Sequence, residues 1–107
     1  MIRVVYNRKT RRVTVKGHAG AAPKGNDIVC AAVSALTYTL AANALDLKDC
    51  GFTRRVMTRL DHGDSEIHVT PKRPWRGTTD LVFSSVCVGF RLLAENYPKY
   101  IEYQEVR

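Results

Sequence analysis

Two apolar patterns of different period alternate along the chain and predict a small two-layer α/β sandwich, a mixed or antiparallel sheet carrying two helices in the order ββα-ββα-β. The first is the strand-like alternation of Ile2, Val4 and Tyr6 near the N-terminus. The second is helical spacing, running from Ile28 to Leu45 and again from Leu81 to Leu93. With 107 residues, the chain is long enough for one compact core and too short for two, so residues 1–107 are expected to form a single domain.

Taken in order, Ile2, Val4 and Tyr6 alternate with Arg3 and Val5 as a strand with one buried face. Asn7-Arg8-Lys9-Thr10 supplies a turn, and Arg12 to Lys16 the return strand of a hairpin. Ile28, Val29, Ala31, Ala32, Val33, Ala35, Leu36, Leu40, Ala41, Ala44 and Leu45 then recur at three- and four-residue spacing, with no glycine or proline before Gly51. This predicts a helix from about Ile28 to about Leu47, with Asp27 as N-cap and Gly51 as its C-terminal stop. Phe52 to Leu60 alternates as a third strand, Asp61-His62-Gly63-Asp64 is a hairpin turn, and Ile67-His68-Val69 carries the fourth. Neither His62 nor His68 has an obvious partner, and both are expected to be structural or solvated, with His68 a fallback base. In the connector from Pro71 to Gly77, Trp75 is expected to plug the core, the alternative being a wall of an apolar pocket. Thr78-Thr79-Asp80 is expected to cap a second helix, apolar over much of its circumference, which suggests burial against the sheet on one side and a helix or second subunit on the other. Pro98 ends it, and Tyr100 to Gln104 alternates as a closing strand.

Composition narrows the function classes. No eighteen consecutive residues are apolar, which argues against a transmembrane helix, and the N-terminus alternates where a signal peptide would carry an apolar block; a cytoplasmic protein is expected. Cys30, Cys50 and Cys87 are odd in number and contain no Cys-x-x-Cys pair, so neither a disulfide framework nor a zinc site is suggested, and no metal or cofactor is expected. Cys50 and Cys87 are expected to be structural. The net charge of +7 would ordinarily point to a polyanion, yet the cations are spread over Arg8-Lys9, Arg11-Arg12, Arg54-Arg55, Lys72-Arg73 and Arg76 without a zinc-finger, helix-turn-helix or RNA-recognition motif. A nucleic acid is therefore not required as partner.

The stretch with chemistry in it is Gly17-His18-Ala19-Gly20-Ala21-Ala22-Pro23-Lys24-Gly25-Asn26-Asp27-Ile28-Val29-Cys30-Ala31-Ala32-Val33-Ser34. It places a histidine at the end of a strand, then a small-residue loop, then a cysteine within the first turn of a helix capped at Asp27. A thiol there is favoured as thiolate by the helix dipole, and His18, if the loop folds back, would pair with it and act as general acid. Ser34 lies one turn beyond Cys30 on the same face, where its hydroxyl would support the thiolate or a substrate carbonyl. Amides near Gly17 or Cys30 would supply an oxyanion hole. The competing readings are a small buried cysteine and a solvated turn histidine. A phosphate cradle lacks both the Walker lysine and the three-glycine dinucleotide pattern.

These residues resemble the signature of the ribosomal-processing cysteine protease family, Gly-His-Ala, a loop, then Gly-x-Asp-(Ile/Val)-Val-Cys-Ala-Ala-x-Ser, including the spacing of twelve between His18 and Cys30. The resemblance implies a cysteine endopeptidase with His18 and Cys30 catalytic and Gly17, Asp27 and Ser34 supporting them. It further implies a ribosomal protein substrate, the N-terminal extension of large-subunit ribosomal protein twenty-seven being removed before ribosome assembly, and a homodimer whose loop orders on binding. Two rivals from other classes are a non-catalytic ribosome-associated module binding RNA through its basic surface, and a thiol redox sensor working through Cys30.

Overall fold

In the computed structural model, residues 1–18 and 24–107 are described, with side chains for residues 1–18 and 28–107. Strands β1 (Ile2–Asn7) and β2 (Arg12–Lys16) form the N-terminal hairpin, followed by helix α1 (Lys24–Asp49), strands β3 (Thr53–Asp61) and β4 (Asp64–Pro71), a 3-10 turn at Arg73–Trp75, helix α2 (Arg76–Asn96) and strand β5 (Ile101–Val106). The expected element order is thus observed. The sheet is mixed and runs β3-β4-β2-β1-β5. Its hairpins are antiparallel, β2 pairs antiparallel with β4, and β5 returns parallel to β1.

One face of the sheet is apolar because every second residue is. Ile2, Val4, Tyr6, Val13, Val15, Ile67, Val69 and Ile101 are all buried there. From α1 come Val29, Val33, Leu40, Ala41 and Ala44, and from α2 Phe83, Cys87 and Phe90; together they fill the layer between helices and sheet. Both helices are long and apolar enough by composition to cross a membrane, so run length alone does not exclude a span; within this fold, their apolar faces cover the sheet.

Several boundaries differ from the sequence reading. Helix α1 begins at Lys24, so Asp27 lies inside the helix and is not its N-cap. Glycine and asparagine read locally as loop, yet here they extend the helix that the alanine-rich segment drives. Its other end stops as expected, with Phe52 N–H donating to Leu47 C=O at 3.0 Å and Gly51 N–H to Lys48 C=O at 2.9 Å, the paired bonds of a Schellman stop. Helix α2 begins at Arg76, which turns the expected Thr78-Thr79-Asp80 cap into helix interior. Buried Thr79 donates its hydroxyl to Trp75 C=O at 2.9 Å, and Asp80 instead grips Arg11, accepting from Nε at 2.7 Å and Nη2 at 3.2 Å. That forked pair ties the tip of the first hairpin to α2. Trp75 does not plug the core; it lies flat on Phe52 at the surface, ring centroids 3.6 Å apart.

His68 sits between buried Ile67 and Val69, so its side chain emerges on the opposite face of the sheet, where register pairs it with Arg12 and Met57. Partial burial, and then the Arg12 charge, hold its imidazole below the ordinary value of about 6.5. The native state therefore binds this proton more weakly than the unfolded chain does. Its stability is complete above that value and is lost as pH falls through the window below it. Urea midpoints measured at pH 7.5 and pH 5 should differ less in His68→Gln than in the wild type; an equal difference would place the acid sensitivity elsewhere.

Candidate active site

His18 lies just past the end of β2, and its position is set by backbone bonds on both sides. Gly17 N–H donates to Gly63 C=O at 2.9 Å, and the Met1 amino group donates to His18 C=O at 2.6 Å. Gly17 has φ +96°, and a Cβ there would collide with the Met1 carbonyl oxygen, so only glycine makes this turn without displacement.

The imidazole of His18 rests on the β3–β4 turn. The ring lies against Gly63, where an added Cβ would overlap it, and its centroid is 4.9 Å from that of His62 with the planes tilted by 41°. His62 is exposed in the turn, in line with the expectation of a structural or solvated residue, and in addition has the His18 ring as a neighbour. The sequence signal that would have found it is the pairing of β2 with β4: Lys16 opposite Asp64 brings Gly17-His18 onto His62-Gly63. His68 does not reach this site and is withdrawn as a fallback base.

Cys30 and Ser34, on α1, line the same open cavity of about 280 Å³ as Gly17 and His18, with Thr37 and Tyr38 further along the helix and Leu60 to Ser65 forming the opposite wall. Histidine, thiol and hydroxyl therefore share one concave site, Cys30 half-buried and both His18 and Ser34 exposed. The Asp27 side chain and the loop from Ala19 to Pro23, on which the expected folding-back depends, lie outside the described residues.

Two expected contributions to the chemistry are corrected. Cys30 is the seventh residue of α1, past the first turn where dipole stabilisation is concentrated, so helix position is not the principal means of activating the thiol. The Gly17 amide is already bonded to Gly63, and Cys30 lies beyond the first four helix positions, whose N–H groups alone lack intrahelical acceptors; neither amide is free to form an oxyanion hole. The Ser34 hydroxyl is a side-chain donor one turn from the thiol. Among the described residues no three metal-ligating side chains converge.

The other cysteines are chemically distinct. Cys87 is 2% exposed, and burial pushes its thiol up to about 12. Cys50 is exposed at the end of α1.

A mixed sheet under two helices, with a thiol and an imidazole in one cleft, is the layout of a cysteine hydrolase. Residues 1–102 match the family model for cysteine protease Prp, and the chain belongs to that family; it is a cysteine protease, hence a hydrolase. The ribosomal processing protease Prp from S. aureus, solved with a covalently linked product peptide, is 25% identical, with TM-score 0.72 over 98% of this chain and 99% of that one. SMU.848 from Streptococcus mutans is 27% identical, with TM-score 0.67 over 98% and 91%. The S. aureus protease with a substrate peptide shares the fold at 21% identity, with TM-score 0.67 over 97% and 96%. No curated protein matches the chain.

Two measurements check this geometry. Gly63→Ala, which drives a Cβ into the His18 ring at φ +73°, should cost about 1–2 kcal/mol of stability and depress peptide cleavage further than the loss of folded protein explains. Wild-type activity in that variant would show that His18 does not need its seat on the turn. Iodoacetamide at pH 8 should modify Cys30 and Cys50 in the native protein and reach Cys87 only after unfolding, as mapped by mass spectrometry of tryptic peptides.

Proposed function

We propose that this chain is a cysteine endopeptidase acting on ribosomal protein, removing the N-terminal extension of large-subunit ribosomal protein twenty-seven in the cytoplasm before ribosome assembly. The observation that carries the reading is the shared cavity of His18 and Cys30, in a chain of the Prp family whose S. aureus relative is a ribosomal processing protease.

His18 takes the Cys30 proton, and the resulting thiolate attacks the scissile carbonyl to form a thioester through a tetrahedral intermediate. The imidazolium then returns its proton to the leaving amine, and water, activated by the same imidazole, hydrolyses the thioester to release the acid. His62 and Gly63 seat the His18 ring so that it is not free to turn away from the cleft. Ser34 donates a hydrogen bond to the developing oxyanion, a role open to it because Gly17 and Cys30 amides are engaged. Asp27 is assigned to orienting the loop. The half-open form of the cavity and its mixed walls of Ile2, Val15, Leu60 and Tyr38 beside polar groups suit an extended peptide with an apolar residue near the cut.

A homodimer belongs to the same proposal. Its support is apolar surface left on the helices: Leu92 of α2 lines an open groove with Ala32, Ala35 and Leu36 of α1, and Leu81 and Val88 are exposed elsewhere on α2.

The test is incubation of a peptide spanning that ribosomal extension with wild type, Cys30→Ala and His18→Ala, read by mass spectrometry. One cut by the wild type is expected. Cys30→Ala should be inactive at near wild-type stability, and His18→Ala should lose turnover by at least 100-fold with KM little changed. Cutting by Cys30→Ala at the wild-type rate would exclude the mechanism.

A further inference from the structure

The surplus of positive charge has no role in the peptidase reading, and part of it collects at one end of the sheet. Arg3, Arg8, Arg11, Arg12, Arg59 and Arg91 each pair with a carboxylate. Among the described residues, Lys9, Lys16, Lys48, Arg54, Arg55, Lys72, Arg73, Arg76, Lys99 and Arg107 are exposed and make no salt bridge; five of them, Lys48, Arg54, Lys72, Arg73 and Arg76, flank the α1–β3 and β4–α2 junctions. The backbone gathers them at one end of the sheet. Phe52 N–H bonds Leu47 C=O, Lys72 N–H bonds Phe52 C=O at 2.9 Å, and Trp75 N–H bonds Lys72 C=O at 2.9 Å, so the α1–β3 and β4–α2 junctions are laced together. A register shift between Thr53 and Arg55 sets Arg54 at the irregularity of β3. Asp46 and Asp49, on the last turns of α1, offset only part of this charge.

At the centre of the cluster is an aromatic platform. Phe52 and Trp75 stack at 3.6 Å with only 11° between their planes, and Trp75 keeps 36% of its surface exposed. One face of the indole is thus occupied, leaving exposed ring surface among the cations.

From this we infer that the α1–β3 and β4–α2 junctions form a binding surface for single-stranded nucleic acid, phosphates meeting the five cations and a base stacking on Trp75. Stacked aromatics within a positive groove are the parts such binding needs. Arginine adds a planar fork that matches phosphate oxygens. An acidic polypeptide would satisfy the charge but leave the indole unused. The surface is remote from the cleft: β3, nine residues long, starts at the cluster and ends at the cavity wall, about 27 Å away along an extended strand.

The chain's only tryptophan is Trp75, so its fluorescence reports on this surface alone. Titration of the full-length protein with a ten-nucleotide oligouridylate should give saturable quenching, with a log-log salt slope near −3.5 and affinity falling roughly 100-fold between 50 and 200 mM salt. The double variant Arg73→Glu, Arg76→Glu places acid at the start of α2, where the dipole favours it, and should stay folded. It should bind at least tenfold more weakly and cleave peptide as the wild type does. Absence of quenching, equally tight quenching by polyglutamate of matched charge, or undiminished binding by the double variant would overturn the inference. None of these outcomes depends on whether the peptide is cut.

Discussion

The backbone bond from Gly17 N–H to Gly63 C=O is the constraint on which the cleft depends. It extends the β2–β4 ladder one step past the last paired residues, Lys16 and Asp64, and so brings the end of one hairpin onto the turn of the other. His18 follows immediately and has no choice of neighbour: its ring meets Gly63 and His62. The imidazole is thereby held by sheet geometry, while the thiol is held by a helix whose buried face, Val29, Val33 and Leu40, is locked into the core. Two rigid elements each supply one side chain to the cavity, which fixes the placement of the imidazole relative to the thiol.

The division of labour also explains the glycines at this site. Gly17 lets the chain turn beneath Met1, and Gly63 leaves room for an aromatic ring where any side chain would stand. The cavity lining accordingly mixes small and polar residues such as Gly17, Gly63 and Ser65 with larger apolar ones such as Ile2, Leu60 and Tyr38. Cys30 lies beyond the first turn of α1, where the helix dipole acts most strongly.

Much of this was legible in the sequence, and the reasons are local. Alternation in Ile2-Val4-Tyr6 and three- and four-residue spacing from Ile28 onward are direct imprints of which face is buried, so element order and type followed from them. That His18 and Cys30 line one cavity was readable because both belong to a recognisable motif. What escaped depended on partners distant in the chain. His62 beside His18 needs the register of β2 on β4, and Asp80 as a partner of Arg11 needs the hairpin folded over α2. Helix starts at Lys24 and Arg76 were missed for a different reason: local capping preference pointed to Asp27 and to Thr78-Thr79-Asp80, while helix propagation and the preceding 3-10 turn carried the helices further toward the N-terminus. The clustering of cations was hidden because its members sit on two junctions that only the fold brings together.

The parallel pairing of β5 with β1 has a consequence for how the molecule comes into being. The cleft is lined by residues 2–65, which leave a translating ribosome first, yet β1 acquires its outer neighbour only when residues 101–106 emerge. Until then one of the most buried strands presents an open edge, and α2 has no β5 to pack against. Completion of the sheet is therefore a late, long-range event, and a growing chain holds the residues of the cleft before it holds the architecture that keeps them in place.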